Sequence, residues 1–335
     1  MKKIIAVLLT MISVFMLALS AFAADGMDAA SADNKISIYQ KYIAVNSNSV
    51  NPAEQFNFTL EAKSVENAGS GITTQNMPLP SISSISYSKG EATTSGTIKE
   101  AQISLPVYDS VGVYSYTIHQ TQGNTAGVSY CDHDMLLVVT VEQNETGKTV
   151  TAALHAGDSS DAEKTDTFEV LYDAGKLQFD KTVTGNLGDR SKWFQVAVRL
   201  SGEEGKSYQD SYSVTGGSNT SNPQSISIGS SAVFQIKHGE TISIENLPYG
   251  VSYEIKEADY TTDGYVTSYA ASDTANTVLD HPLESVSITN KKDTTVDTGI
   301  RSSVTTNLML LGGIVAAAAV IAVILAKVKK SGNGR

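Results

Sequence analysis

The sequence is poor in cysteine, with Cys131 as the single one among 335 residues. An internal disulfide is therefore excluded, although disulfides support many proteins of the oxidising cell exterior. A lone thiol can be reactive or can link two molecules, but Cys131 follows Tyr130 in a β-like stretch, which favours a partly buried, inert side chain. Other interactions must stabilise this chain.

The sequence is also poor in basic residues, since 24 Lys and Arg stand against 35 Asp and Glu. Seven of the basic residues lie in end segments that we predict to be removed, so the mature chain has 17 basic and 35 acidic residues and a net charge of −18. This charge argues against nucleic acid as a partner. The five histidines are scattered without metal-ligand spacing, and the sequence contains no nucleophile elbow, phosphate loop or zinc-protease helix. No metal, cofactor or conventional enzyme activity is predicted.

The first residues indicate export. Residues 1–23 combine Lys2 and Lys3 with an apolar stretch and a small-x-small site that ends at Ala23, the form of a signal peptide. We predict cleavage after Ala23, with residues 24–34 as an N-terminal segment of the mature chain. An uncleaved N-terminal anchor is the alternative.

The last forty residues have the form of a signal for cutting the chain and attaching it covalently. Residues 295–299 (Thr-Val-Asp-Thr-Gly) precede a polar spacer, an apolar run over residues 308–326 and a basic tail. The run of about 19 residues matches a hydrocarbon core of about 30 Å, and the basic tail favours the cytoplasm. We predict cutting between Thr298 and Gly299 and loss of residues 300–335, the transmembrane helix and tail. An ordinary single-pass anchor is the alternative.

The mature region is predicted to be all-β. Alternating polar and apolar residues are separated by turn clusters at intervals of about ten residues, which is typical of antiparallel β-sandwiches. The clearest strands are residues 56–60, 113–118, 135–141, 177–183, 194–200, 241–244, 251–257 and 286–290.

A weak internal repeat divides this region into two. Residues 35–38 resemble 176–179, residues 56–60 resemble 194–198, and residues 112–118 resemble 250–255, in the same order in both halves. We therefore predict two tandem immunoglobulin-like β-sandwich domains, residues 35–173 and 174–294.

Three residues of the second half stand at predicted strand ends where they could support one reaction. Lys181 ends the first strand, Glu257 a middle strand and Asn290 the last. Burial disfavours the charged forms of Lys and Glu, so a neutral amine could attack the Asn amide while the acid polarises its carbonyl, leaving an isopeptide bond and ammonia. By themselves, such residues at strand ends are as readily explained as solvated surface side chains.

The second half resembles the C-terminal domain of Gram-positive pilus backbone subunits, the streptococcal-type pilin isopeptide-linkage (T-antigen-like) family. The resemblance lies in residues 176–181, 185–194, 244–257 and 288–292. It implies an intramolecular isopeptide bond between Lys181 and Asn290, with Glu257 as the assisting acid.

The first half resembles the N-terminal domain of the same pilins less closely, through residues 35–38, 112–118 and 127–130. The three reactive positions differ. The Lys position falls on Gln40 with Lys41 beside it, the Glu position on Gln120, and the Asn position on Val170. An analogous crosslink is therefore not expected, and a one-residue slippage would recover Lys41 alone.

The resemblance also implies an acceptor lysine for the preceding subunit. Lys164 lies near the family's acceptor position in an acidic loop, and Lys41 is a second candidate, although either can be an ordinary surface lysine. The terminal motif resembles a sortase signal in which Thr295 and Val296 replace the usual Leu and Pro. A pilus-class sortase is implied.

Together these features predict a structural subunit of a secreted, covalently polymerised pilus on the cell wall. The implied partners are the sortase, identical pilin subunits, peptidoglycan directly or through a basal pilin, and a host surface receptor. A monomeric wall-anchored adhesin or minor pilin would share the ends and the fold but would lack an acceptor lysine. An anchored hydrolase is a third, weaker reading.

Overall fold

The computed structural model describes residues 34–271 and 277–295, which form two tandem β-sandwiches. A single turn of 3-10 helix, Thr261–Asp263, accompanies twenty strands in this part of the chain. The strands are β1 Lys35–Ala44, β2 Glu54–Phe56, β3 Phe58–Glu66, β4 Ser81–Ile82, β5 Ile85–Tyr87, β6 Thr97–Ser104, β7 Gly112–Gln120, β8 Val128–Ser129, β9 Met135–Asn144, β10 Gly147–Ala156, β11 Thr167–Tyr172, β12 Ala174–Thr184, β13 Phe194–Ser201, β14 Tyr212–Gly216, β15 Ser225–Ile226, β16 Ser231–Ile236, β17 Thr241–Pro248, β18 Ser252–Glu257, β19 Val266–Ala271 and β20 Leu283–Lys291.

The first sandwich packs a five-stranded sheet, in the order β4-β6-β1-β11-β8, against a four-stranded sheet, β10-β9-β7-β3. Strands β2 and β5 form a small separate ribbon. The first and last strands of the sandwich, β1 and β11, lie side by side and parallel, with Tyr39 opposite Thr167 and Ala44 opposite Tyr172. The two ends of the sandwich are therefore joined by backbone hydrogen bonds.

The second sandwich repeats this plan. A six-stranded sheet, β15-β14-β17-β12-β20-β19, packs against a three-stranded sheet, β16-β13-β18. Again the first and last strands are parallel neighbours, with Lys176 opposite Leu283 and Thr184 opposite Lys291. Residues far apart in the sequence thus come together beside β12.

Each sandwich has its own apolar core, formed by the inward positions of alternating strands. Strand β1 buries every second residue from Ile36 to Ala44, and β12 does the same from Leu177 to Val183. This period of two is what a sheet buried on one face requires. It also fixes which polar side chains point inward.

The junction between the sandwiches is short. One residue, Asp173, separates β11 from β12. The Asn246 side chain donates to the backbone oxygen of Val50 (2.8 Å) and accepts from its N–H (2.7 Å), and the Ser207 N–H donates to the Asn124 carbonyl (2.8 Å). These bonds tie the sandwiches together at points besides the connecting residue.

The predicted all-β fold is confirmed, with one difference in the predicted strands. The stretch 56–60 is broken at Asn57, because Phe56 ends β2, which pairs with β5, whereas Phe58 begins β3, which pairs with β7. Within the described ranges, the structure has no helix of the length and hydrophobicity needed to cross a membrane. The predicted signal peptide and transmembrane helix lie outside the described residues.

Candidate functional site

Three strands bring Lys181, Glu257 and Asn290 to one end of the second sandwich. Lys181 lies opposite Ile288 in the β12–β20 ladder. Asn290 is two residues beyond Ile288 on β20, so it is the diagonal neighbour of Lys181 and faces the same side of the sheet. From strand spacing and rise, their Cα atoms lie about 8 Å apart. Glu257 is the last residue of β18 in the facing sheet. The site is therefore built across the core, between the two sheets.

All three side chains are buried. Lys181 is 1% exposed, Glu257 5% and Asn290 0%. Lys181 Nζ lies 2.8 Å from Glu257 Oε1 and 4.6 Å from the centre of the Phe194 ring. The alternative of solvated side chains at strand ends is thus wrong for these residues.

An aromatic cluster closes this end of the core. Phe194 packs edge-on against Tyr260 and Tyr265, with ring centres 4.9 and 5.3 Å apart, and Val183 completes the cluster. These rings keep water from the Lys181 amine. Burial consequently lowers the pKa of Lys181 below its ordinary value, and the neighbouring Glu257 carboxylate opposes part of that shift.

The Glu257 carboxylate is held in a fixed orientation by strand β19. Thr267 Oγ1 donates a 2.9 Å hydrogen bond to Glu257 Oε2, and the Glu257 backbone N–H donates to the Tyr269 hydroxyl, also at 2.9 Å. Because Oε2 is occupied by Thr267, Oε1 is directed toward Lys181. The carboxyl group can therefore exchange a proton with the amine.

The side-chain amide of Asn290 makes no stabilising hydrogen bond within the described part of the chain. Neither its oxygen nor its nitrogen has a hydrogen-bond partner there, and Lys181 Nζ and Glu257 Oε1 make no hydrogen bond of regular geometry despite their contact. Buried polar groups are normally paired, and each unpaired one costs about 1–3 kcal/mol. Such a concentration of unsatisfied groups at one point is typical of a reactive site rather than of a core.

Comparison with known protein families divides the chain at the same junction. Residues 39–173 match the Spy0128-like isopeptide containing domain, FctA. Residues 175–292 match a family described as a domain of unknown function, DUF7601.

A similar protein spans nearly the whole length. The pilin of Streptococcus pyogenes serotype M1 is 27% identical over 321 residues, which cover 89% of this chain and 93% of that protein. These matches support a streptococcal-type pilin.

Other similarities are partial or concern the fold. The S. pyogenes pilus tip adhesin Cpa is 32% identical over 130 residues, 37% of this chain but 18% of the adhesin. The crystal structure of the S. pyogenes major pilin aligns with a TM-score of 0.53 and 23% identity, over 81% of this chain and 100% of that pilin. The T3.2 major pilin of the same species aligns at 0.52 and 20%, over 78% and 99%. These structures support the tandem-sandwich fold.

In the first sandwich, Gln40, Gln120 and Val170 occupy the geometric positions of the second-sandwich triad. Gln40 lies opposite Phe168 in the β1–β11 ladder, and Val170 is two residues beyond Phe168 on β11. Asn290 is likewise two residues beyond Ile288, the residue opposite Lys181, so the two pairs have the same offset. Gln120 is the last residue of β7, as Glu257 is of β18.

The two glutamines form a buried, fully paired contact that sequence reasoning did not predict. Gln120 Nε2 donates to Gln40 Oε1, and Gln40 Nε2 donates to the Phe168 carbonyl at 3.1 Å. Gln120 Oε1 accepts from the Cys131 N–H at 2.9 Å. We call Gln40 and Gln120 the amide clasp. The signal available in the sequence was a glutamine at an inward position of an alternating strand.

The structure separates the two candidate acceptor lysines. Lys164 is exposed, and among the described residues it has no ion-pair partner. The Lys41 side chain is 13% exposed, and its Nζ lies 2.7 Å from Glu169 Oε1. The one-residue slippage that would recover Lys41 does not occur, because Gln40 is the buried residue and Lys41, its neighbour on the strand, faces the opposite side.

One histidine has carboxylate neighbours that its sequence position did not reveal. His281 Nδ1 lies 2.5 Å from Asp280 Oδ1 and 3.2 Å from Glu284 Oε1, so the three groups are close enough to share an ion. The Asp280 carboxylate raises the pKa of His281. Ion pairing accounts for the proximity of these three groups.

Cys131 is buried, and the pKa of its thiol is raised, which indicates an unreactive thiol.

Proposed function

We propose that this protein is a pilin, a structural subunit of a covalently polymerised Gram-positive surface pilus, strengthened by a self-formed isopeptide bond between Lys181 and Asn290. The single observation that carries the proposal is the buried Lys181–Glu257 contact beside an amide without hydrogen bonds. A pilin shaft transmits tension, and a bond between the first and last strands of a sandwich prevents its extension.

The chemistry follows from the contact. Transfer of the Lys181 proton to Glu257 leaves both groups neutral, which an apolar site favours. The amine lone pair then attacks the Asn290 carbonyl carbon while the carboxyl group polarises the carbonyl oxygen. A bond forms between Lys181 Nζ and Asn290 Cγ, the bond from Cγ to Nδ2 breaks, and ammonia leaves. Glu257 relays the proton from Nζ to the departing nitrogen and is regenerated.

Polymerisation uses the terminal motif, which lies outside the described residues. A pilus-class sortase cuts between Thr298 and Gly299, and an amine of another subunit resolves the acyl-enzyme. Lys164 is the better acceptor, because an exposed amine without an ion pair is accessible, whereas Lys41 is paired with Glu169. The two domains comprise residues 35–173 and 174–294. The mature protein lies at the cell wall, where it is attached to peptidoglycan directly or through a basal pilin.

The reading as a monomeric adhesin or minor pilin stays the alternative. The segment shared with the tip adhesin Cpa covers 18% of that protein and therefore supports a common domain rather than a common role. A binding surface for a host receptor is not required by the shaft function.

One experiment on polymer from wall extracts tests both bonds. We expect high-molecular-weight ladders on denaturing gels, a peptide joining Lys181 to Asn290 without one ammonia, and a second peptide joining Thr298 to Lys164. Lys181→Ala should restore the ammonia to the intact mass of the mature subunit.

The matched control is Lys176→Ala on the same strand, where the side chain is 36% exposed and lies 3.3 Å from Glu245. It should leave the crosslinked mass unchanged. An unmodified mass in the wild-type subunit would reject the internal bond. Monomers without ladders would favour the adhesin, and a peptide joined through Lys41 would reassign the acceptor.

A further inference from the structure

The first sandwich lacks the groups for an isopeptide bond at the position where the second has them. Gln40 has no nucleophilic amine, and Val170 has no carboxamide to be attacked. The amide clasp connects β1, β7 and the backbone of β11 by hydrogen bonds instead. Such hydrogen bonds are weak compared with a covalent link. A shaft subunit therefore contains one sandwich that tension could open.

The position of Lys164 changes this expectation. It lies three residues before β11, the last strand of the first sandwich, and it bridges to His155 on β10, the edge strand of the four-stranded sheet. The neighbouring Ala156 N–H donates to the Glu163 carbonyl at 2.8 Å. Force applied at residue 164 thus enters the chain almost at the end of this sandwich.

From Lys164 the chain runs through extended backbone into the second sandwich. Strand β11 is followed by Asp173 alone, and β12 then continues to Lys181. A strand rises about 3.2–3.4 Å per residue, and a chain cannot exceed about 3.3–3.6 Å per residue. This path has almost no slack, so it can carry force without the rest of the first sandwich separating.

Beyond Lys181 the proposed isopeptide bond continues the path to Asn290. Residues 182–289 form a loop closed by that bond and are bypassed. Asn290 lies eight positions before Thr298, where the next subunit is attached.

We propose that tension along the polymer passes the first sandwich through its last strand alone, so that the uncrosslinked sandwich stays folded beside the load path. This proposal rests on the proposed acceptor Lys164 and on the Lys181–Asn290 bond. It explains why the amide clasp suffices in the first sandwich. The path comprises residues 164–181 and 290–298, so the part of the first sandwich that precedes β11 carries no load.

Single-molecule stretching of the mature chain, residues 24–298, tests the proposal. One tether is attached through an azide-bearing amino acid at position 35 or at position 164, and the other at the C-terminal end. The buried Cys131 thiol, 6% exposed, reports opening of the first sandwich by its reaction with a maleimide. Pulling from position 35 should release roughly 450 Å for residues 35–172 and expose Cys131.

Pulling from position 164 at the same force should give neither this extension nor labelling of Cys131. Labelling of Cys131 at equal rates from both positions would overturn the proposal, because it would show that loading β11 opens the sandwich. A separate release of roughly 350 Å, corresponding to residues 182–289, would instead show that the internal bond is missing and that the proposed function fails. Lys181→Ala should produce that release and serves as its positive control.

Discussion

The two sandwiches of this protein have the same plan but hold their ends together in different ways. In each, the first and last strands are parallel neighbours, and a residue of the facing sheet reaches the same point of the core. The second sandwich places Lys181, Glu257 and Asn290 there, and the first places Gln40, Gln120 and Val170. Strand topology thus provides the position, whereas three side chains decide whether a covalent bond is chemically possible.

The difference also changes how well the buried polar groups are satisfied. In the amide clasp each side-chain oxygen and nitrogen has a hydrogen-bond partner, so the first site is stable as it stands. In the second site, the amide atoms of Asn290 have no hydrogen-bond partners within the described chain. The unsatisfied polar groups destabilise the fold before the reaction, and the isopeptide bond that forms there offsets this loss of stability.

The largest expected effect comes from giving the second sandwich the glutamine of the first. Glu257→Gln preserves side-chain size but removes the proton-relaying carboxyl group, so we expect the intact mass to retain its ammonia. A crosslink closing a loop of about 100 residues contributes about 4.7 kcal/mol by loop entropy. We therefore expect the melting temperature of the second sandwich to fall by roughly 15–25 °C in scanning calorimetry.

Glu254→Gln is the matched control, since Glu254 is exposed on the same strand. It should change neither the mass nor the melting temperature. A crosslinked mass in Glu257→Gln would show that the carboxyl group is dispensable and that the contrast with Gln120 has no chemical meaning.

The reverse exchange should have a somewhat smaller effect. The triple variant Gln40→Lys, Gln120→Glu and Val170→Asn places the reactive groups at the same ladder offset as in the second sandwich. We expect the mature protein to lose a second ammonia. The first sandwich should gain up to about 4 kcal/mol, reduced by the strain that engineered crosslinks commonly introduce.

The double variant Gln40→Lys and Gln120→Glu is its control, because Val170 offers no carbonyl to attack. Mass spectrometry should show the extra ammonia loss in the triple variant alone. If the folded triple variant keeps its ammonia, the first site differs in geometry from the second, and equivalence by strand register is insufficient.

The sequence predicts the strands well because a sheet buried on one face leaves a local, periodic pattern. It predicts less well what depends on pairing across the sheets. The break at Asn57 depends on β5, which is remote in the sequence. Gln40 and Gln120 are 80 positions apart, and alternation indicates that Gln40 points inward without naming its partner. The Lys181, Glu257 and Asn290 set was identified through family resemblance, since composition alone gives these residues no special meaning.

The smallest expected effect concerns the amide clasp itself. Gln120→Leu keeps an inward side chain of similar size but leaves the Gln40 Oε1 acceptor and the Cys131 N–H donor without their partners. Each unsatisfied buried group costs about 1–3 kcal/mol, so the first sandwich should melt lower while the second is unchanged. The exposed Gln102 of β6 supplies the control Gln102→Leu, which should have little effect. Calorimetry of both variants decides the matter, because equal melting temperatures would mean that apolar packing, and not the clasp, holds the uncrosslinked sandwich closed.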